Sequence, residues 1–412
     1  MVRTITLGAL ALAASLATTA HADVPEGLMY SDFDAHFELE NEEETGRNNQ
    51  RVDAGWYLKF TAKLFGDDIP VDSGLKYVVK QGHRTLATVE CTARLAQRPN
   101  YSFEEGVPGY MDVGRCKDDD QLTKATGEVT IEVHFINGDD DSTTLIRTHT
   151  IFVRKFDRVR RASQYYIVHN GEIATAMIHE FIGGERNANN SRNMGNNYVG
   201  LFTWVAEAES NGTEPDGDDW ARDLNVRCSV NGERLPTTYD PNVNTVRDHN
   251  IRIMASWGEG RQNERNQYDM QLFHIVLPIT MGDENDRLPN AAVLEDHPGN
   301  WECQIRHGRK VHRTIAFAVA DGHIQPHPEE TAEGGVQLPM RHHLATISIE
   351  RDNDLETRVS PAHAARGPFW GLGWKSAEGR AMAAALPTIG EADLPGEPRG
   401  RGGRRGRRGR RR

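Results

Sequence analysis

The sequence predicts an all-β protein, in which two tandem antiparallel β-sandwich domains lie between a signal peptide and a disordered basic C-terminal tail. Three observations lead to this prediction: short runs in which apolar and polar residues alternate, turn residues between those runs, and similar landmarks in both halves of the chain. We expect a signal peptide at residues 1–22, sandwich domains at 23–158 and 163–328, a C-terminal appendage at 331–387 and a disordered tail at 388–412.

The N-terminus has the layout of a secretory signal peptide. Arg3 gives a positive start, the run from Ile5 to Leu16 is apolar, and Ala20-His21-Ala22 is a small-x-small cleavage site. The apolar run is too short to cross a bilayer, and no later run reaches the length that crossing requires. We therefore expect an exported protein, periplasmic or secreted, without a membrane span.

The two halves of the chain contain matching landmarks in the same order, which predicts an internal repeat. The matched segments are 36–37 with 179–181, 55–60 with 200–205, 127–133 with 299–305, and 147–153 with 313–319. A glycine begins the second and third pairs, and an apolar strand pattern follows in each half. We interpret the halves as two related domains.

Strand patterns dominate the chain. Val129, Ile131, Val133 and Phe135 alternate with polar residues, as in a strand with one buried face. The dense apolar run from Leu272 to Ile279 predicts a buried strand. Further on, Leu344 to Ile349 predicts either an edge strand or the start of the appendage, and helical periodicity occurs only near Glu378 to Leu386.

The segment from Asp296 to Cys303 resembles the F strand of immunoglobulin domains, in which an Asp, a small residue, an aromatic residue and a Cys follow in order. Trp301 stands two residues before Cys303, at the family's offset, although Trp replaces Tyr and one extra residue follows the Asp. The resemblance implies immunoglobulin-like sandwich domains. It implies no function, because that fold supports many.

The four cysteines predict two disulfides. All four follow the cleavage site, and disulfides persist outside the cytoplasm. We favour Cys91 with Cys116 and Cys228 with Cys303, because each pair then stays within one half of the chain. Free thiols are the alternative, and the CxxC-type spacing of a zinc site is absent.

Acidic loops provide the candidate metal ligands. Calcium takes six to eight oxygen ligands, which loops of exported proteins often supply. The candidate calcium ligands are Asp139, Asp140, Asp141, Asp216, Asp218 and Asp219. The alternative is that these residues provide turn chemistry and solubility. No other cofactor is expected.

Histidines provide a second set of candidate metal ligands. The pairs His323 with His327 and His342 with His343 offer imidazoles for zinc or copper, and the alternative is a polar linker. His179-Glu180 begins like a zinc-protease helix, but Gly183 stands where the second His must be. We therefore interpret His179 as a surface or strand histidine.

The C-terminus is strongly basic although the chain has a net charge of −12. Nine arginines lie between Arg399 and Arg412, on an acidic body. We expect this tail to bind an extracellular polyanion or an envelope component, and export argues against nucleic acid. The candidate polyanion-binding residues are Arg404, Arg405, Arg407, Arg408, Arg410, Arg411 and Arg412. The alternative is an inert extension.

These observations favour an exported, non-enzymatic binding or structural protein of the cell envelope or exterior. One alternative is an exported hydrolase or carbohydrate-active sandwich enzyme without a linear motif. Two carboxylates facing each other across a groove would favour that enzyme. The other alternative is a periplasmic metal-binding protein, which converging histidines would favour.

Overall fold

A computed structural model describes residues 27–46, 51–66, 69–92, 94–95, 110–156, 163–167, 175–182, 197–208, 224–235, 251–256, 268–288, 291–307, 309–351, 367–369 and 371–388. Within these ranges the chain forms 22 β-strands and two short α-helices, so the protein is all-β, as predicted. The helices are α1 (Pro328–Thr331) and α2 (Ala377–Ala385). No helix in the described part of the chain is long and apolar enough to cross a membrane.

Ten strands precede residue 170 and form what we call the first half. They are β1 (Met29–Tyr30), β2 (His36–Thr45), β3 (Arg51–Phe65), β4 (Gly74–Gln81), β5 (Arg84–Thr92), β6 (Arg94–Leu95), β7 (Tyr110–Lys117), β8 (Gly127–Ile136), β9 (Thr143–Phe156) and β10 (Gln164–Ile167).

The remaining strands form the second half. They are β11 (Ala176–Phe181), β12 (Tyr198–Ala208), β13 (Leu224–Val230), β14 (Glu233–Arg234), β15 (Ile251–Ser256), β16 (Tyr268–Val276), β17 (Ile279–Thr280), β18 (Ala292–Val293), β19 (Gly299–His307), β20 (Lys310–Ala320), β21 (His323–Ile324) and β22 (His342–Ile349).

Two five-stranded sheets enclose the core of the first half. One has the order β1-β3-β7-β6 with β2 also paired to β3, and the other has the order β10-β9-β8-β4-β5. Every second residue of β8 is buried from Val129 to Phe135, as the alternation predicted. Phe60 of β3 stacks on Tyr77 of β4 with ring centroids 4.1 Å apart, so the two sheets face each other across one core.

A single curled sheet of ten strands forms most of the second half. Its order is β14-β13-β19-β20-β22-β11-β12-β16-β15, with β21 paired to β20. One apolar cluster includes residues from both ends of this order, such as Cys303 of β19 and Leu201 of β12. The sheet therefore folds over on itself to enclose a core.

The position predicted for β22, at a sheet edge or at the start of the appendage, is wrong. It pairs with β20 on one side and β11 on the other, so it lies in the interior of the sheet. Ile347 and Ile349 are buried in the core of the second half. The helix predicted at Glu378 to Leu386 is confirmed as α2, and its buried Met382 and Ala383 join the same core.

The order of strand pairing in the first half recurs in the second. The pairings β2-β3-β7-β6 and β5-β4-β8-β9-β10 correspond to β11-β12-β16-β15 and β14-β13-β19-β20-β22. The β8–β9 and β19–β20 hairpins also agree in detail. Gly127 faces Val153 and Gly299 faces Val319, and a β-bulge follows Val133 in one hairpin and Ile305 in the other.

Both predicted disulfides are confirmed, and they differ in type. Cys91 of β5 and Cys116 of β7 connect the two sheets of the first half. Cys228 and Cys303 lie directly opposite each other on the adjacent strands β13 and β19, with Cα atoms 4.1 Å apart. An immunoglobulin disulfide connects two sheets, so the second half departs from that pattern.

Trp301 agrees with the immunoglobulin pattern in another respect. Its indole N–H donates a hydrogen bond of 2.8 Å to the carbonyl oxygen of His297, four residues upstream. In immunoglobulin domains the Tyr that precedes the F-strand Cys bonds to upstream backbone in a similar way. Trp301 is fully buried and stacks on Phe317, so the side chain that makes this hydrogen bond also fills the core.

Candidate functional site at the junction of the two halves

The chain beyond β21 contacts both halves, and the contacts define the junction. Val336, Leu344 and Phe369 belong to the core of the first half, whereas α2 belongs to that of the second. Phe33, just before β2, packs against both cores. We call residues 335–341 the return segment, because they lead the chain from α1 across the first half to β22.

A buried ion pair fastens the return segment to the first half. Arg147 of β9 donates two hydrogen bonds to the carboxylate of Asp32, one of them 2.8 Å long from Nε to Oδ1. The same guanidinium donates to the carbonyl oxygen of Gly335 at 2.9 Å. The Asp32 side chain has no exposed surface, and that of Arg147 is 10% exposed.

The backbone of Gln337 completes this arrangement. Its N–H donates to Oδ2 of Asp32 at 2.8 Å, and its carbonyl oxygen accepts from the Asp32 N–H at 3.0 Å. Burial raises the pKa of Asp32, although Arg147 and the Gln337 N–H both favour the charged carboxylate. The charged pair thus depends on all of its hydrogen bonds, since a buried charge is costly without them.

Glu329 of α1 anchors the start of α2. Its carboxylate is fully buried and accepts hydrogen bonds from the N–H groups of Lys375 and Ser376, at 2.7 and 2.8 Å. These N–H groups lie at the N-terminus of α2, where Ser376 is the N-cap residue. The first N–H groups of a helix lack partners within it, and the helix dipole favours negative charge there.

Two further glutamates hold β-strands to the same region. Glu330 caps α1 by accepting from the His327 N–H and also accepts from the Leu344 N–H of β22 at 2.6 Å. Glu180 of β11 is 3% exposed and accepts from the Ile324 N–H of β21 at 2.6 Å. Glu180 therefore connects segments that are distant in sequence, whereas Glu330 ties α1 to the strand that follows it.

A pair of stacked histidines lies where β22 meets β11. His179 and His342 face each other in the register of these strands, with ring centroids 3.6 Å apart. Burial lowers the pKa of His342 to about 4, and its Nδ1 lies 3.0 Å from the Met340 carbonyl oxygen. Phe33 also contacts His342, with ring centroids 6.3 Å apart.

The predicted histidine ligands take part in the junction. His323 Nδ1 lies 3.1 Å from Glu180, and His343 Nδ1 lies 3.1 Å from Glu330. His327 Nδ1 accepts from the Glu329 N–H and so caps α1. Across the described ranges, no group of three or more His, Cys, Asp or Glu residues is arranged to hold a metal ion.

The predicted calcium ligands that the structure describes lie on the exposed turn between β8 and β9. The Asp139 N–H donates to Asn137, and Asp140 accepts from the Ser142 N–H at 3.0 Å. Hydrogen bonding by the Ser142 side chain, and then by its backbone N–H, lowers the pKa of Asp140. Calcium binding by this turn stays a prediction. Outside the described residues lie Asp216, Asp218, Asp219, the predicted signal peptide and the tail arginines Arg404, Arg405, Arg407, Arg408, Arg410, Arg411 and Arg412.

A second polar cluster lies at the side of the first half. Asp53 of β3 accepts from the Tyr165 hydroxyl at 2.8 Å and lies 3.2 Å from the Lys155 amine. Burial, followed by the bond to Asp53, raises the pKa of Tyr165 to about 12. The Asn41 side chain bonds both the N–H and the carbonyl oxygen of Tyr165, so β10 is held against β2 and β3.

The principal residues of the junction do not form a recognisable pattern in the sequence. Asp32, Arg147 and Gln337 lie in three distant segments, and no spacing rule connects them. Glu330 had a usable signal, since His327-Pro328 followed by Glu329-Glu330 has the proline and acidic residues of a helix start.

Comparisons of the chain with protein-family models, with curated proteins and with solved structures find no match. The functional interpretation therefore depends on the residues and their geometry.

Proposed function

We propose that the chain is an exported, non-enzymatic binding or structural protein of the cell envelope or exterior. The observation that carries this proposal is how the junction uses its ionisable groups. Asp32, Glu180, Glu329 and Glu330 each accept backbone N–H bonds that connect separate segments. Asp32 connects the first half to the return segment, and the other three carboxylates hold β11, β21, β22, α1 and α2 together. Carboxylates used in this way have a structural role.

Export is supported by the cysteine chemistry. All four cysteines are in disulfides, and such bonds persist in secreted and periplasmic proteins. The leader pattern at residues 1–22 adds a second, independent argument. Intact mass of the protein recovered outside the cytoplasm tests this part. We expect a chain that begins at Asp23, and a chain retaining Met1 would contradict export.

Binding is assigned to the basic tail. Nine arginines between Arg399 and Arg412 offer a dense positive charge next to an acidic body. We propose an extracellular polyanion or an anionic envelope component as the partner. Export and the acidic body argue against nucleic acid.

A deletion series tests the role of the tail. The full chain, a chain lacking residues 399–412 and a chain with the nine arginines changed to lysine are compared on immobilised heparin. We expect the deleted chain to elute at much lower salt than the full chain. The lysine chain should elute near the full chain, because it keeps the same positive charges and salt screens their attraction to heparin in the same way. Equal elution of the deleted and full chains would contradict the proposal.

We also propose that the two halves are immunoglobulin-like domains related by internal duplication. The shared pairing order and the equivalent bulges after Val133 and Ile305 support this. The indole hydrogen bond of Trp301 adds support, whereas the position of the Cys228–Cys303 bond departs from the family pattern. An experimental structure tests the proposal by superposition. We expect Gly127 to Val133 to lie over Gly299 to Ile305, and unrelated sheet positions would contradict it.

A further inference from the structure

Three polar side chains in the core of the first half have no hydrogen-bond partner among the described residues. Both ring nitrogens of His149 are in this state, as are the hydroxyls of Tyr30 and Tyr77. The side chains are deeply buried, since His149 and Tyr77 are 0% exposed and Tyr30 is 2% exposed. Buried polar groups in native proteins nearly always have partners, which are ordered water molecules where protein groups do not reach.

The three side chains belong to one aromatic cluster. The Tyr30 and His149 rings have centroids 5.7 Å apart, and Phe37 lies edge-on to His149 at 5.0 Å. From Phe37 the cluster continues through Phe60 to Tyr77, with ring contacts of 5.9 and 4.1 Å. Tyr30 and His149 are thus in direct ring contact, and Tyr77 belongs to the same chain of rings. Burial and then the Tyr77 hydroxyl raise the pKa of Tyr30, which indicates that the two hydroxyls lie near each other.

The second half shows that the fold does not require histidine here. His149 faces Ile131 across β8 and β9, and Ile315 faces Cys303 at the corresponding place in β19 and β20. Ile315 is fully buried in the core of the second half. An apolar side chain thus fits this position, and the polar atoms of His149 require a separate explanation.

The chemistry of the three groups suits water. Burial lowers the pKa of His149 to about 3, so the ring is neutral near neutral pH and presents one N–H donor and one nitrogen acceptor. Each tyrosine hydroxyl both donates and accepts. A water molecule has two donors and two acceptors, and buried waters typically make about three hydrogen bonds.

We propose that the core of the first half contains a buried hydration site, in which ordered water is bound by His149 and by the hydroxyls of Tyr30 and Tyr77. The site lies beside the junction, since Arg147 is two residues from His149 on the same strand, and Asp32 is two residues from Tyr30. Water in this position links the end of β1 to the middle of β9 without a direct contact between protein groups.

A crystal structure of the full chain at high resolution provides the direct test. We expect density for water at about 2.7 to 3.2 Å from a His149 ring nitrogen and from at least one of the two hydroxyls. A core without such density would overturn the proposal. A crystal of the Tyr30→Phe variant then shows whether the water loses one partner, as we expect.

A double-mutant cycle tests the same site in solution. Tyr30→Phe and His149→Ile are measured separately and together, where Ile is the residue that the second half uses at this position. A shared water makes the two changes non-additive, and we expect Tyr30→Phe to lower the folding constant roughly tenfold less when His149 is already replaced. Additive effects, or a rise in the melting temperature with Tyr30→Phe alone, would overturn the proposal.

Two further variants make the cycle decisive. Tyr30→Phe with Tyr77→Phe forms a second cycle that keeps His149, so it remains informative if His149→Ile does not fold. The matched control is Tyr165→Phe, whose hydroxyl already bonds to Asp53. We expect Tyr165→Phe to be additive with His149→Ile, because its hydroxyl has a protein partner elsewhere.

Discussion

Arg147 and Arg313 occupy equivalent positions in the two halves of the chain. Arg147 faces Val133 and Arg313 faces Ile305, and in each hairpin the β-bulge follows the facing residue. Both guanidinium groups are buried, but their partners differ. Arg147 binds the carboxylate of Asp32, whereas Arg313 donates to the Thr203 hydroxyl and the Trp204 carbonyl oxygen.

The different partners have an electrostatic consequence. Burial lowers the pKa of Arg313 to about 9, which shows how strongly desolvation acts on a cation in this position. The positive charge of Arg147 is balanced by the Asp32 carboxylate at the junction. The arginine at this position therefore bonds within the core in the second half. In the first half it binds Asp32 and the return segment.

We expect Asp32→Asn or Arg147→Met to destabilise the protein by about 3 to 5 kcal/mol, because each leaves a buried group without its partner. The double variant Asp32→Asn with Arg147→Met should cost less than the sum of the two. Urea unfolding followed by tryptophan fluorescence measures the change. The control is Lys76→Ala, which removes an exposed pair with Glu90 and should cost about 1 kcal/mol or less. Equal losses for Arg147→Met and Lys76→Ala would contradict the role of the ion pair.

Acid should destabilise the protein through two histidines, the buried His149 and the half-buried His342. Burial lowers the folded-state pKa of His149 to about 3 and of His342 to about 4. In the unfolded chain both take protons near their usual pKa of about 6.5, so stability is lost as the pH falls below that value. By pH 5 each histidine should cost on the order of 2 kcal/mol. The raised pKa of Asp32 acts in the opposite direction at lower pH, because the folded state binds that proton more readily.

Unfolding measured between pH 7 and pH 5 checks this expectation. Replacing His342 with Phe and His149 with Ile should flatten the pH dependence. The exposed His83 is the matched control, and changing it to Asn should leave the slope as it is. A slope that survives the replacement of both His149 and His342 would show that other groups control acid stability.

The two disulfides should contribute unequally to stability. Their sequence separations are 25 residues for Cys91–Cys116 and 75 for Cys228–Cys303. The chain-entropy model assigns about 3.5 kcal/mol to the shorter loop and about 4.5 kcal/mol to the longer. We expect the paired Ser variant of Cys228 and Cys303 to unfold at lower urea than that of Cys91 and Cys116. The reverse order would show that strain or residual structure outweighs loop entropy.

Gly379→Ala should destabilise α2, against the usual helix preference. Ala is favoured over Gly by about 1 kcal/mol inside an exposed helix. At this position a Cβ atom would lie 2.3 Å from the Trp374 ring and 2.8 Å from a Glu329 carboxylate oxygen. Thermal unfolding should show a lower melting temperature. Ala381→Gly, on the exposed face of α2, is the control and should show only the propensity cost. A more stable Gly379→Ala chain would mean that α2 can move away from Glu329.

Local patterns in the sequence predicted the local elements well. The alternation from Val129 to Phe135 gave β8, since a period of two is enough to define a half-buried strand. The helix at Ala377–Ala385 followed from its apolar spacing. Disulfide pairing followed from a preference for partners within one half. Each of these inferences needs only nearby residues or a short list of possibilities.

The junction was beyond the reach of such patterns. Asp32 and Gln337 are 305 residues apart, and Arg147 is 115 residues from Asp32. Their pairing depends on how β22 is inserted between β20 and β11, which is a property of the whole sheet. The pattern of Leu344 to Ile349 identified a strand, but an interior strand and an edge strand have similar local sequences when one face is exposed.

The return segment has a consequence for how the chain folds during synthesis. Val336, Leu344 and Phe369 complete the core of the first half, and β22 completes the sheet of the second. Neither half has all of its parts until the chain has been synthesised past Phe369, so co-translational folding cannot finish one half before the other. Both cores therefore stay open to solvent for most of synthesis.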